Sequence, residues 1–338
     1  LEQALARLPQ GDPMWAQAAE ALAGARLSRG DVEGAHRLWT ELQELGREMG
    51  AGAVHARSMV GLGQIHFVQG RLVQGRDVLE NAVFRLRDQS SPWVLPEALL
   101  CLAQLTHSEG RLEAARTLAL EAESAARDLP RLPLCVAALG LAARCLYDIG
   151  VPHDARLIAS DAATMARTLG PVESAMAIGC VLPAARVLVA LNAVDEAAAI
   201  LPSTPPTQDE GIGIGDPVGG LLAVKSRLVF HRNPTVALAL AGSVLDRPPA
   251  ALVWWAVRHL LDAGLTLAAA GDARAEEAVR RSLALLEGKR LDMLLMEAGL
   301  LAGRLGIETA AAEKGRELLD AFEHTLGSPE GFRTRWIG

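Results

Sequence analysis

Apolar positions recur along this chain at helical spacing, in stretches of sixteen to eighteen residues separated by short polar turns. Val54, Met59, Leu62, Ile65 and Phe67 form one stripe, and Leu72, Val73, Val78, Leu79, Val83 and Leu86 form the next. A period near 3.6 predicts two amphipathic helices, A and B, joined at the intervening turn. The turn repeats as well. Gly30, Gly70, Gly110 and Gly150 are each followed five residues later by a small residue, namely Ala35, Gly75, Ala115 and Ala155, so the glycines keep a spacing of 40 three times over. The register continues at Asn192 with Ala197, at Arg232 with Ala237 and, shifted, at Gly271 with Ala278, and a last degenerate unit is expected over 290–326. A glycine at the turn ends helix A in the left-handed conformation without Cβ strain. Small residues are expected where the helices cross: Ala23, Gly63, Ala103 and Ala143 in helices A, and Ala82, Ala122 and Ala162 in helices B. Neither helix can bury its stripe alone, so successive units must stack.

The order of these residues, a Leu with a small neighbour (Leu22-Ala23, Leu62-Gly63, Leu102-Ala103), Gly seven residues after the small one, a small residue five further on and Ala seven beyond that, resembles the tetratricopeptide repeat. The resemblance runs from about residue 10 to 326. It implies an all-α, right-handed α-solenoid of seven or eight antiparallel hairpins. The period of 40 exceeds the family's usual length of about 34. The Pro that usually closes a repeat is missing, and Leu and Ala replace most of the packing aromatics. Longer helices of this sort are similar to the tetratricopeptide-like regions of large bacterial signalling proteins, such as nucleotide-switch transcription activators and multidomain Ser/Thr kinases.

In such arrays helix A lines a concave groove. The resemblance therefore places the residues thirteen, ten, six, three and two positions before each turn on that surface, among them Gln17, Glu20, Phe67, Glu97 and Ser226. The expected ligand- or partner-binding set is Arg57, Gln64, Gln104, His107, Arg144, Tyr147, Asp148, Arg186 and Arg258. A protein or peptide partner in the groove is the first expectation, with alanine at Arg144 plus Arg186 weakening capture while the array stays folded. A small-molecule effector sensed by a transcription regulator is the second. The family's clamp for chaperone C-termini needs Lys and Asn at these positions, and this chain has neither there.

Composition narrows the remaining choices. Half of the 338 residues are hydrophobic but only 4% are aromatic, which disfavours a β-sandwich or barrel and suits helices rich in Ala and Leu. A formal net charge of -7 is the wrong sign for a phosphate-neutralising surface, so nucleic acid is not an expected partner. Cys101, Cys135, Cys145 and Cys180 lie in apolar stretches with no metal-ligand spacing and read as buried thiols in a reducing cytoplasm. No run of about 18 uncharged apolar residues occurs, and Leu1 to Arg7 lacks the form of a signal peptide, so neither membrane nor secretion is expected. Leu1 to Arg7 reads instead as the tail of a helix ending at Leu8-Pro9, as in a piece of a longer protein. Only three lysines (225, 289, 314) stand among the 33 basic residues, a bias of GC-rich bacterial genomes. The eight histidines form no metal-binding pair, and no phosphate loop, nucleophile elbow or kinase signature is present. No enzyme activity, cofactor or metal is expected.

Two features interrupt the pattern. Residues 202–220 carry four prolines and five glycines and are expected to be a non-helical loop that replaces the second half of a helix B. Such a loop is either mobile or a partner contact. Its Gly211, Gly213 and Gly215 lack the flanking strand and Lys-Ser/Thr of a phosphate loop. The expected organisation is thus the end of a preceding helix (1–9), regular repeats (10–201), the loop (202–220), degenerate repeats (221–326) and a tail (327–338). Arg47, Arg87, Arg127 and Arg167, also spaced by 40, sit in the last turns of helices B, either as caps of the terminal carbonyls or as an anion-binding edge. Pro248-Pro249 is expected to start a helix bearing Trp254 and Trp255, whose adjacent side chains would point about 100° apart, one into the core and one outward. With Tyr147 and Trp336 they are the aromatics whose exposure matters.

Overall fold

The computed structural model describes residues 2–9, 12–88, 93–129, 131–169, 175–202, 216–247 and 253–326, which are helices joined by short turns and links, with no strand among them. After one turn, α1 (Glu2–Leu5), the described residues form eight antiparallel hairpins. The first four pair α2 (Pro13–Ser28) with α3 (Val32–Glu48), α4 (Gly52–Val68) with α5 (Leu72–Asp88), α6 (Leu95–Ser108) with α7 (Leu112–Arg127), and α8 (Leu132–Ile149) with α9 (Pro152–Thr168). The next four pair α10 (Ala175–Ala190) with α11 (Val194–Ile200), α12 (Pro217–Val229) with α13 (Pro234–Leu245), α14 (Val253–Ala269) with α15 (Arg274–Leu286), and α16 (Asp292–Arg304) with α17 (Ala310–Leu326). The fold is a tetratricopeptide-like α-solenoid.

The forty-residue turn does what its sequence requires. Gly30, Gly70, Gly110, Gly150 and Gly271 all have φ between 69° and 105°, and Asn192 takes the same left-handed role at φ 58°. After the turn the chain re-enters helix with a cap where the sequence allows one. Asp31 Oδ1 accepts from the Gly34 amide at 2.8 Å and Asn233 Oδ1 from the Val236 amide at 3.2 Å. The crossing residues Ala23, Ala103, Ala143, Ala82, Ala122 and Ala162 are buried, and a Cβ on Gly63 would stand 2.5 Å from Leu79 of α5. Backbones approach closely because nothing larger is there. The arginine ladder at the ends of helices B is tied to side chains: Arg87 forks onto Glu121 of α7, and Arg127 Nε donates to Glu123 at 2.7 Å.

Helix α11 stops at Ile200 after seven residues, whereas its counterparts α3, α5 and α9 run for 17. The Pro/Gly segment from 203 to 215 lies outside the described residues, as do Pro248-Pro249, Trp336 and the whole tail 327–338. One expectation there is corrected. Pro217–Gly220 is the first turn of α12, because Pro217 needs no amide partner at the first helical position and Asp216 Oδ1 accepts from the Gly219 amide at 3.1 Å.

The later repeats fold back over the earlier ones. One hydrophobic cluster contains Met59, Val60 and Leu99 from the first half together with Leu261, Leu294, Leu295 and Ile307 from the second. Phe67 of α4 meets Trp254 of α14 with ring centroids 6.3 Å apart. Lys289, in the link before α16, lies over Gly70, and Phe322 with Met293 lies over Gly110, so the last hairpin and its lead-in sit on the turns of the second and third. Helix α8 is long and apolar enough to cross a membrane, but 67% of its 18-residue apolar window is buried within the protein, against α7, α9 and α10. Its apolarity is that of a central strut.

Candidate functional site

Because the solenoid closes on itself, the inner helices face one another across a narrow lumen. Five of them, α6, α8, α10, α14 and α16, line a cavity of about 50 Å³. Its polar wall consists of Gln104, His107, Arg144, Arg186, Arg258 and Glu297, and its apolar wall includes Leu141, Pro183, Trp254, Trp255, Met293 and Leu294.

The charged groups form one connected network. His107 Nε2 and Arg144 Nε both reach Asp148 Oδ2, at 2.9 and 2.7 Å. Arg144 Nη2 donates to Glu297 Oε1 at 2.5 Å, and Arg258 binds the other oxygen of the same carboxylate. Arg258 Nη2 also reaches Asp262 Oδ1 at 3.3 Å, and Arg186 Nε donates to Asp262 Oδ2 at 2.7 Å. Arg227 of α12 approaches Asp262 Oδ1 at 3.5 Å. Each ion taken out of water costs several kcal/mol before its partners offset it, so an inert packing core gains nothing from this arrangement. The titrations follow. Burial works against the Asp148 carboxylate, but Arg144 and His107 outweigh it and hold its pKa down at about 2. Asp262 is likewise lowered, its burial outweighed by Arg258, Arg186 and Arg227. Arg144 is raised above its ordinary value because Asp148 and Glu297 overcome burial, whereas Arg186 is lowered by burial, with Arg258 and Arg144 adding repulsion that Asp262 does not cancel.

Arg186 is thus the under-compensated member. Its Nη2 is buried with no hydrogen-bond partner, and the guanidinium carbon lies 6.0 Å from the centroid of Trp255. Trp255 in turn meets Trp254 edge to face at 4.6 Å and 87°. The expected split of these two rings between core and solvent is corrected: both are partly buried, since their indoles lean together over the start of α14. His259, one turn further on, has its Nε2 buried and unpartnered. Burial and the repulsion of Arg186, opposed by Asp216 and Asp262, push its pKa down to about 3.

The sequence-predicted set divides in three. Gln104, His107, Arg144, Arg186 and Arg258 converge on the cavity, and Asp148 stands behind His107 and Arg144 as their acceptor. Tyr147 is corrected from a surface contact to a core residue, 5% exposed among Val136, Leu139, Val181 and Leu188. Arg57 and Gln64 lie away from the cavity. Gln64 Nε2 approaches Cys101 Sγ at 3.2 Å, and Arg57 is clamped between Glu20, at 2.5 Å, and Glu97. Arg57 lines a more open hollow of about 310 Å³ with Glu20, Trp93, Glu97 and Arg131, and Trp93 there is 58% exposed. The inner positions of α6 to α16 meet around a narrow cavity and their charges pair with one another, so alanine at Arg144 and Arg186 would leave Asp148, Asp262 and Glu297 short of counter-charge and destabilise the array. Asp262 and Glu297 join the site without a signal from the repeat. Both lie nine residues before a turn glycine, Gly271 and Gly306, outside the family's inner positions. The available signal is an acidic residue alone inside an apolar helix, as in Met293 to Ala302.

Elsewhere the chemistry is quiet. Burial pushes the Cys101 thiol up to about 12 and Cys180 to about 11, far from thiolate reactivity. Among the described residues no group of three or more His, Cys, Asp or Glu is arranged to hold a metal ion.

No protein-family model matches the sequence, and no curated protein is similar to it in sequence. Solved structures are similar in fold. A Rap protein complexed with competence and sporulation factor aligns over 99% of this chain and 88% of its own, with a TM-score of 0.54 and 14% identity. The apo form of the quorum sensor NprR from B. thuringiensis covers 95% of this chain and 96% of its own at TM-score 0.45 and 13% identity. BtubC (BKLC) from P. vanneervenii covers 75% and 90% at TM-score 0.43 and 16% identity. The likeness to the Rap protein, joined to the forty-residue hairpins, makes this chain tetratricopeptide-like in fold.

Proposed function

We propose that this chain is a non-enzymatic regulatory module of a bacterial cytoplasmic signalling protein, which takes a peptide segment into the lumen between its inner helices. The observation that carries this reading is the charged network at Asp148, Arg144, Glu297, Arg258, Asp262 and Arg186, which links α8, α16, α14 and α10 through pairings that a ligand's own polar groups can exchange with. The Rap structure adds support, because that protein of similar fold was solved with competence and sporulation factor bound. A ligand that prefers one arrangement of the closed hairpins shifts the population toward it, by as much as its affinities for the two arrangements differ.

The test uses a random peptide library panned on the chain. Gln104 lines the cavity without joining its ion pairs, so Gln104→Phe fills the space and spares the network. Selected peptides should bind the native chain, slow hydrogen exchange in α14 to α17, and fail on Gln104→Phe. Equal binding to both proteins sinks the lumen as the site. A second reading, a small-molecule effector, is favoured by one number: about 50 Å³ accommodates a functional group and not a peptide until the hairpins part.

A further inference from the structure

Around the lumen one cation is left short of hydrogen-bond partners. Arg144, Arg186 and Arg258 are matched in number by Asp148, Asp262 and Glu297, while Arg227, which does not line the cavity, also approaches Asp262. The shortfall is localised. Arg186 is 5% exposed, gives one hydrogen bond from Nε to Asp262, and keeps Nη2 buried without an acceptor. A guanidinium presents five donors in a planar fork suited to two oxygens at once, so one that lines a cavity with a single hydrogen bond suits an oxyanion there. Arg186, Arg144 and Arg258 all line the one cavity.

Size and lining define the rest of the ligand. At roughly 10 to 15 Å³ for each water, a volume of about 50 Å³ is room for about four waters, or for a carboxylate with a short apolar body behind it. The cavity is not fully enclosed, and Leu141, Pro183, Trp254, Trp255, Met293 and Leu294 line it with apolar surface. An anion carrying a wide polar shell would strand its other oxygens against these side chains.

From the Arg186 guanidinium on the cavity wall with a single hydrogen bond, the neighbouring Arg144 and Arg258, and the apolar lining, we infer that the lumen is a binding site for a monocarboxylate borne on an apolar body, with the carboxylate on Arg186 and the body between the Trp254 and Trp255 rings and the wall of α16. Arg186 receives the ligand and Asp262 holds it in place through Nε. The inference deepens the lumen reading and rests on it. The shared chemistry has two sources, a free small acid or the C-terminus of a peptide ending in an apolar residue, and the cavity's volume favours the small acid. The site is unlike the family's clamp, which uses Lys and Asn on an open surface.

Hexanoate and its neutral isostere hexanamide are the probes, read by tryptophan fluorescence and by the melting midpoint of the full chain. Hexanoate should bind with a dissociation constant of about 1 mM, as for a ligand of a few heavy atoms, and hexanamide at least tenfold more weakly. Arg186→Lys keeps the charge beside Asp262 and withdraws the second nitrogen, so it should fold with a similar circular dichroism spectrum and lose at least tenfold in hexanoate affinity. Gln104→Phe should abolish binding altogether. A free-C-terminal apolar peptide that displaces hexanoate, while its amidated form does not, assigns the same carboxylate to a chain end. Equal binding of acid and amide, or undiminished binding to Arg186→Lys, overturns the carboxylate inference and leaves the lumen reading intact if Gln104→Phe still blocks both probes. Failure of hexanoate to bind at all overturns the inference, and failure of the peptide library as well removes the lumen reading with it.

Discussion

Glu297 is the residue on which the two halves of the lumen hinge electrostatically, since its two oxygens are shared between Arg144 of α8 and Arg258 of α14. Removing one partner of a buried pair costs more than the pair is worth, because the others stay buried and uncompensated. Glu297→Ala should therefore lower unfolding free energy by about 3 to 5 kcal/mol, readable from urea denaturation at neutral pH. His259 gives a second test, in pH. Its folded pKa is depressed to about 3, so the unfolded chain takes up the proton first as pH falls below its ordinary 6.5. Stability should fall from about pH 6.5 toward pH 3, with a slope of up to about 1.4 kcal/mol per pH unit from this one group. In His259→Gln the pH dependence between 6 and 4.5 should flatten by roughly that amount; an unchanged slope there would show that His259 is not buried neutral. The carboxylate of Asp148 acts at lower pH, where its contribution is full above its ordinary value of 3.8 and fades toward 2.

At the scale of elements, helix crossings are set by what is missing. A Cβ on Gly315 of α17 would stand 2.3 Å from the Leu295 carbonyl oxygen of α16, an atom that cannot rotate away. Gly315→Ala should part α16 from α17 and lower the melting midpoint by several degrees. Gly271 isolates the other use of glycine: its φ is +69° and a Cβ added there would meet nothing within 4 Å, so Gly271→Ala should cost only the left-handed strain, about 1 to 2 kcal/mol. These elements are legible in the sequence. The recurrence at 30, 70, 110 and 150 locates each turn, and the small residues at 23, 63 and 103 locate each crossing. Pro217 and Asp216 look like loop in the sequence because counting prolines ignores the one helical position where proline is welcome.

For the whole molecule the sequence says less, for a physical reason. A repeat pattern specifies how each hairpin meets the next but not the small rotation per unit that decides whether the array stays open or closes. The inner positions of Arg144, Arg186 and Arg258 can be read from their distance to the turn, while their partners Asp262 and Glu297 come from helices up to 153 residues away and stand at a position that the repeat does not mark as inner. Tyr147, by contrast, packs among Val136 of its own helix and Val181 of the next inner helix, a neighbour contact that buries it without any closure. If Trp254 against Phe67 holds α14 over the first half, then Trp254→Ala should raise the rate of hydrogen exchange in α14 and α16 before it affects α2 and α3. Uniform acceleration across all hairpins would mean that this contact does not hold α14 there.

The cluster that joins Met59 and Leu99 to Leu294 and Ile307 has a consequence for how the chain reaches its native state. An open solenoid makes only neighbour contacts, so it can nucleate anywhere and melt from its ends. Contacts between residues so far apart in the chain raise the contact order and charge loop-closure entropy to the last step. On a ribosome the early hairpins emerge first, with the inner faces of α4 to α8 uncovered until α16 has been made. The newborn chain therefore displays, for many seconds of synthesis, the apolar surface that its finished form hides, and that interval is when a chaperone would find it.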